Sequence, residues 1–98
     1  MGENEYEWDE KKRAANVKEH GIDFGDIPEA FKHPYIEDYD HRHSPREDRW
    51  RILGFMKGRV VYFVYTLRGG KKRIITARPA NKKEAVLYYS RFCFDSWT

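Results

Sequence analysis

Three runs rich in β-branched and aromatic residues, spaced by two short glycine turns, set the tightest limit on how this chain folds. Arg49–Met56, Arg59–Thr66 and Arg73–Arg78 are separated by turns at Lys57-Gly58 and Gly69-Gly70. An X-Gly pair between β-rich runs favours a tight hairpin, so the three runs read as a meander. Val60–Tyr65 is apolar at every position, which predicts a central strand buried on both faces. The turns set Met56 opposite Arg59, Trp50 opposite Tyr65, Thr66 opposite Arg73 and Tyr65 opposite Ile74. Cross-strand partners share a face. One face then carries Trp50, Ile52, Met56, Val61, Phe63, Tyr65, Ile74 and Thr76, a core surface for helices to cover. The other carries Arg49, Arg51, Leu53, Phe55, Tyr62, Val64, Thr66, Arg73 and Ile75. A one-residue slip in either turn would exchange the two sets.

Helices and shorter strands flank the meander. Glu5–Trp8 reads as a short first strand. Asp9 is placed to cap a helix from Glu10 to Glu19, and Gly21 fits the left-handed position that ends one. The apolar content of this helix is little more than Ala14, Ala15 and Val17, which predicts packing on a narrow face. Asp26-Ile-Pro-Glu29 reads as a cap, a first-turn proline and a capping-box carboxylate, opening a second helix that ends near Phe31–Lys32. Tyr35–Tyr39 suits an edge strand, and Asp40–Asp48 is a charged loop. Asn81-Lys-Lys-Glu84 opens a C-terminal helix through about Phe92. Strands grouped together, not alternating with helices, indicate an α+β fold. The expected sheet is small and antiparallel, a meander of three to four strands plus the short N-terminal strand, packed against two or three helices. With 98 residues the expectation is a single domain over 1–98, with 92–98 as an extended C-terminal tail.

Charge divides the chain. Residues 1–40 hold five Lys/Arg against twelve Asp/Glu, a net −7, while residues 41–98 hold fourteen against four, a net +10. Eight arginines lie between Arg42 and Arg78 among aromatic and β-branched residues. Such asymmetry points to an anionic partner for the second half, since Arg forks match phosphate oxygens and stack on bases. Solubilising charge on strand edges explains the same pattern without a ligand. No window approaches the roughly 18 uncharged apolar residues of a membrane span. The acidic N-terminus lacks an apolar h-region, so no secretory signal is expected, and Tyr6 breaks the myristoylation pattern. The expectation is a soluble cytoplasmic protein with no membrane partner. Cys93, the one cysteine, leaves no internal disulfide or Cys-based zinc site and suits a small buried hydrophobe. His41-x-His43 beside Asp38 and Asp40 has a ligand-like spacing, but no third and fourth ligand stand at fixed spacing, so no metal and no cofactor are expected.

The hairpin registers bring Arg49, Thr66 and Arg73 into one row across three strands. Two guanidinium groups in one row repel unless an anion or carboxylate intervenes. Glu47 has the parity to be that carboxylate. The row is therefore either an Arg–Glu–Arg salt-bridge network or a phosphate site.

An ordered set of motifs adds a family likeness. The runs are Tyr6-Glu-Trp8-Asp9 with Asn16, His20-Gly21-Ile22 with Phe24, Phe31 and Pro34, then His43-Ser44 with Glu47 and Arg49. Gly54, Gly58-Arg59, Val64-Tyr65-Thr66 and Arg68 follow, then Arg73-Ile-Ile-Thr-Ala-Arg78 with Ala80 and Glu84. Over about residues 6–88 the chain resembles the BrnT toxins of bacterial type II toxin–antitoxin pairs. The resemblance implies a RelE-like fold and a small endoribonuclease that inhibits translation. It also implies neutralisation by a BrnA-type antitoxin protein with a DNA-binding region, operator DNA being reached only through that antitoxin. Two departures stand out. Pro28 interrupts a segment that is commonly one helix in the family, and Tyr88–Thr98 is unusually aromatic.

RNA cleavage without metal needs a group to take the 2′-OH proton, charge to stabilise the phosphorane, and a proton for the 5′-oxygen. Arg49 and Arg73 are the candidates for charge stabilisation. His20, at a helix C-terminus, suits a general acid or base, or merely a cap. Glu47 suits a base or a brace for Arg49. Lys12, Arg51, Arg68 and Arg78 are candidates for contacting the RNA, each with a solvated cation as the plainer role. Tyr65 and Trp8 read as packing residues. Two other functions fit the same residues: a non-catalytic module binding nucleic acid on the basic face, and an interaction protein whose ligand is an antitoxin helix.

Overall fold

The computed structural model describes residues 5–43 and 47–92. Residues 44–46 of the charged loop and the tail 93–98 with Cys93 lie outside the described residues. The elements are β1 (Tyr6–Glu7), α1 (Glu10–His20), α2 (Ile27–Ala30), β2 (Ile36–Tyr39), β3 (Arg49–Met56), β4 (Arg59–Arg68), β5 (Lys71–Pro79) and α3 (Lys82–Phe92), with 3-10 turns at Phe24–Asp26 and His41–His43. The fold is α+β. Its sheet has five strands in the order β1-β5-β4-β3-β2. β1 joins β5 in parallel and every other pair is antiparallel, so the sheet is mixed. No helix among the described residues is long and apolar enough to cross a membrane.

Both hairpin turns have the backbone their residues dictate. Lys57 and Gly58 have φ of 49° and 79°, and Gly69 and Gly70 have 60° and 81°. Two consecutive positive φ values twist the connection in the same sense as the strands, which holds the register. The pairs Trp50–Tyr65, Met56–Arg59, Thr66–Arg73 and Tyr65–Ile74 are all present. One expectation fails. Val64 pairs with Thr76 while Tyr65 pairs with Ile74, so Ile75 is an extra residue in β5. A bulge of one residue reverses parity beyond it. Thr76 therefore leaves the core face, and Ala77, fully buried, takes the place opposite Phe63.

The core face packs Ile52, Met56, Val61, Phe63, Tyr65, Ile74 and Ala77 against Ile22, Phe24, Ile27 and Ala30 from the segment after α1 and from α2. Trp8 packs at the margin of this core. The opposite face is covered only at one end, where Tyr88 of α3 packs on Leu53 and Val60, flanked by Phe55, Tyr62 and Phe92.

The helix ends follow from local chemistry, with two corrections. Asp9 accepts from the Lys11 and Lys12 amides at 2.8 and 3.2 Å, and Gly21, at φ 73°, closes α1 through Val17. The narrow apolar face is absent, because Ala14, Ala15 and Val17 are exposed and Asn16 is the one buried residue of α1. The Asn16 amide donates to Ile22 O at 2.8 Å and accepts from Ala77 N at 3.2 Å, tying helix to sheet by hydrogen bonds. The second correction concerns α2. Asp26 makes no capping bond; Asp23 instead accepts from Gly25 N at 2.9 Å and starts the 3-10 turn. With Pro28 in its first turn, α2 runs for only four residues. The C-terminal capping box forms as read: Glu84 accepts from Asn81 N at 2.9 Å and Asn81 from Glu84 N at 2.8 Å.

Candidate active site

The uncovered end of the second sheet face carries a row across four strands. Glu7 of β1 pairs with Arg73 of β5, Arg73 with Thr66 of β4, and Thr66 with Arg49 of β3. Two strand spacings put the Arg49 and Arg73 backbones about 10 Å apart. Thr66, 2% exposed, sits between them, its hydroxyl donating to the Asp48 carbonyl. Each flanking arginine has its own carboxylate. Arg49 Nε donates to Glu47 Oε2 at 2.9 Å, and Arg73 Nη1 to Glu7 Oε2 at 3.0 Å. All four side chains are between about a quarter and a third exposed, open to solvent and not sealed beneath α3. Each guanidinium commits one N–H to its carboxylate; its other donors have no acceptor among the described residues. The pairs offset the repulsion between two cations in one row. The arrangement can hold a tetrahedral anion between two fixed forks, with a carboxylate at either side.

Other basic residues extend the row unequally. Arg68 and Lys71 are paired across the β4–β5 turn, one step beyond Thr66 and Arg73 on the same face, and both are exposed. Lys12 is exposed in the first turns of α1, near Asp9, whose carboxyl two backbone amides hold below its usual range with Arg73 and Lys12 helping. Arg51 lies two residues from Arg49 and forms an ion pair with Asp38, its partner on β2. Arg78 is farther along, beside α3. It grips Glu84 through two bonds of 2.8 and 2.9 Å and lies over the Tyr62 ring at 4.1 Å. This grip, reinforced by the Asn81 amide, holds the Glu84 carboxyl below the usual glutamate range.

His20 is not brought to the row. It precedes Gly21, whose carbonyl accepts from Arg59 at 3.4 Å, at the other end of the sheet. Seven residues of β4, roughly 23 Å of strand, separate Arg59 from Thr66. His20 is half-exposed there, 4.0 Å from Glu19. Glu47 braces Arg49 but does not bridge to Arg73, so the row holds two separate pairs. Tyr65 is a packing residue as read, stacked on Trp50 with centroids 5.4 Å apart and donating to Glu37; burial, then Glu37, push its phenol pKa up.

The residue missed from sequence is Glu7. The hairpin registers say nothing of where β1 pairs, because a parallel crossover strand is placed by tertiary packing. One signal was present: Tyr6 and Trp8 are aromatic and Glu7 between them is charged, an alternation that puts Glu7 on the face opposite the core.

A family model described as the ribonuclease toxin, BrnT, of type II toxin–antitoxin systems matches residues 8–84. The span takes in every candidate from Lys12 to Arg78 and begins one residue after Glu7. No curated protein matches the chain.

Proposed function

The chain belongs to the BrnT family of ribonuclease toxins from type II toxin–antitoxin systems, and we propose that it cleaves RNA at the Glu7–Arg73–Thr66–Arg49 row without a metal ion, so inhibiting translation. The observation that carries this is the placement of two guanidinium groups on either side of Thr66, each held by a carboxylate and open to solvent. A phosphodiester entering between Arg49 and Arg73 meets two positive groups fixed before the reaction starts. They stabilise the phosphorane charge more than the ground-state diester, and that difference lowers the barrier. Such forks supply the charge that a metal ion supplies in other nucleases.

In this reading the 2′-hydroxyl of the substrate is the nucleophile. Glu47 takes its proton as the O2′–P bond forms and the P–O5′ bond breaks. The products are a 2′,3′-cyclic phosphate and a 5′-hydroxyl, whose proton comes from water. Arg68, Lys12 and Arg51 contact the flanking RNA backbone. Arg78, already gripped by Glu84, has the weaker claim. The whole chain, 1–98, acts as one toxin domain in the cytoplasm. A type II toxin has an antitoxin partner; here it is a BrnA-type protein that covers the basic face and carries the pair to operator DNA. One feature favours a second reading, a module that binds RNA without cutting it. Four arginines of this face, Arg49, Arg51, Arg73 and Arg78, already have a carboxylate.

The experiment is to produce the chain without antitoxin, incubate it with RNA in EDTA, and map the ends. Cleavage with 2′,3′-cyclic phosphate ends is expected. Arg49→Ala and Arg73→Ala should each lower the rate at least ~100-fold with the circular dichroism unchanged. His20→Ala should leave the rate within a few-fold. Intact RNA with the wild-type chain, or full activity in both arginine variants, overturns the proposal.

A further inference from the structure

The carboxylate that braces Arg49 stands just outside the sheet. β3 begins at Arg49, so Glu47 and Asp48 precede its first paired residue. Side chains from two other strands converge on Asp48 instead. The Thr66 hydroxyl of β4 donates to the Asp48 carbonyl, and the Tyr39 hydroxyl of β2 donates to the Asp48 carboxylate. They arrive from opposite faces. Thr66 is paired with Arg49 and shares its face, whereas Tyr39 is paired with Trp50 on the core face. Neither donor is loosely held. Thr66 is 2% exposed, and the Tyr39 ring meets Trp50 and His41 edge-on, with centroids 5.6 and 4.8 Å away. The one hydroxyl proton of Thr66 is committed to Asp48, so a phosphate in the row gains it only by breaking that bond.

We propose that Thr66 and Tyr39 are positioning residues: they clamp Asp48 and thereby fix the Glu47 carboxylate where it meets both Arg49 and the 2′-hydroxyl of an RNA substrate. Glu47 is one peptide from Asp48, about 3.8 Å between Cα atoms. Pinning Asp48 at its carbonyl and its side chain leaves few torsions to place the neighbouring carboxylate. The ion pair with Arg49, 2.9 Å long and about one-third exposed, does not do this alone. It sets the distance between two side chains, not their place on the sheet. A general base must stand about 3 Å from the proton it takes. A shift of about 1 Å in a reacting group costs up to about 100-fold in rate. The catalytic consequence rests on the ribonuclease reading, but the clamp itself does not.

The test uses the intact chain and three variants. Thr66→Val keeps the shape without the hydroxyl, Thr66→Ser keeps the hydroxyl, and Tyr39→Phe removes the other donor. Thr66→Val and Tyr39→Phe should each lower kcat for RNA cleavage by about 10- to 100-fold while KM stays within about twofold. Thr66→Ser should restore most of the rate. In a Glu47→Gln background, Thr66→Val and Tyr39→Phe should lower the residual rate no further, because groups that act through one residue are not additive. The clamp is also read without turnover, by NMR exchange of the Arg49 Nε–H that donates to Glu47. Both variants should speed that exchange several-fold. The Arg13 Nε–H, which donates to Asp23 at 2.7 Å and shares no residue with the clamp, should exchange as in the wild type. Either variant suffices where the other does not fold. Equal losses with and without Glu47, a raised KM at unchanged kcat, or an unaltered Arg49 exchange rate overturns the proposal. Intact RNA with the wild-type chain overturns the ribonuclease reading instead, and the exchange rates then decide the clamp on their own.

Discussion

At the scale of single residues, Asn16 shows how a polar side chain can do the work of a core contact. It is 6% exposed and the one buried residue of α1. Its amide satisfies the Ile22 carbonyl and the Ala77 amide, the latter on the outer side of β5 just past the bulge. Asn16→Ala leaves both backbone groups buried without a partner, which should lower stability by about 2–3 kcal/mol. The check is the urea midpoint, which should fall with an unchanged slope; an unmoved midpoint would mean that α1 docks by other means. Gly54 makes a steric case of the same kind. A Cβ built there meets the Ala30 Cβ at 3.2 Å and Phe63 Cε1 at 3.4 Å, where α2 lies on β3. Gly54→Ala should cost about 1–3 kcal/mol through overpacking. The same denaturation series reads it, and a midpoint equal to wild type would show that α2 gives way freely.

At the scale of elements, α3 is held to the sheet by charge as much as by packing. Glu84 closes the Asn81 capping box and grips Arg78, and its carboxyl titrates below the usual glutamate value of 4.5. A depressed folded pKa contributes stability that is fully present above 4.5 and is lost as pH falls through the folded value. Asp9 and Asp23, also held low by backbone amides and by Arg13, add to the same acid slope. Glu84→Gln should therefore cost about 1 kcal/mol at pH 7 and less at pH 3, with the wild type losing more on acidification. Urea midpoints of both proteins at the two pH values decide it; parallel losses would show that Glu84 gains nothing from the pair. Elements with local causes were legible in the sequence. Lys57-Gly58 and Gly69-Gly70 fix their turns by φ alone, and Asp9, Gly21 and Asn81-to-Glu84 fix their helix ends within a few residues. What was not legible depends on distant partners. The bulge at Ile75 has no turn residue to announce it, and it moved Thr76 and Ala77 between faces. Asp26 looked like a cap, but Asp23 starts the 3-10 turn three residues earlier. The site divided the same way. Arg49, Thr66 and Arg73 follow from two hairpin registers, whereas Glu7 enters only through β1, and His20 was a helix end with no stated position relative to the row.

At the scale of the whole molecule, folding interleaves the two charge halves. The acidic first 40 residues supply Glu7 to Arg73 and Asp38 to Arg51; Glu47 and Glu84 serve Arg49 and Arg78 from the basic half itself. These four arginines of the second sheet face are therefore neutralised pair by pair, although residues 41–98 carry a net +10. Local charge neutrality matters because single-stranded RNA binds largely by displacing counterions with protein cations. On this face the displaced counterions include protein carboxylates, so a phosphate entering the row competes with Glu7 and Glu47 for the same guanidinium groups. That competition separates binding from cleavage. Replacing both with glutamine frees Arg49 and Arg73 for phosphate, yet takes away Glu47, the base of the proposed reaction. A 2′-deoxy oligonucleotide, which has no nucleophile, should bind the Glu7→Gln, Glu47→Gln double variant several-fold more tightly than the wild type. The slope of log affinity against log salt should steepen by about 1.4 for two added phosphate contacts on a single strand. Cleavage of ribo-oligonucleotides by the same variant should fall even as binding rises. Fluorescence anisotropy between 50 and 200 mM salt, a range over which phosphate contacts dominate the change, measures the first effect. An unaltered slope would place the phosphate path elsewhere on the molecule, and the Glu7–Arg73 and Glu47–Arg49 pairs would then be struts that hold β1 and the charged loop to the sheet.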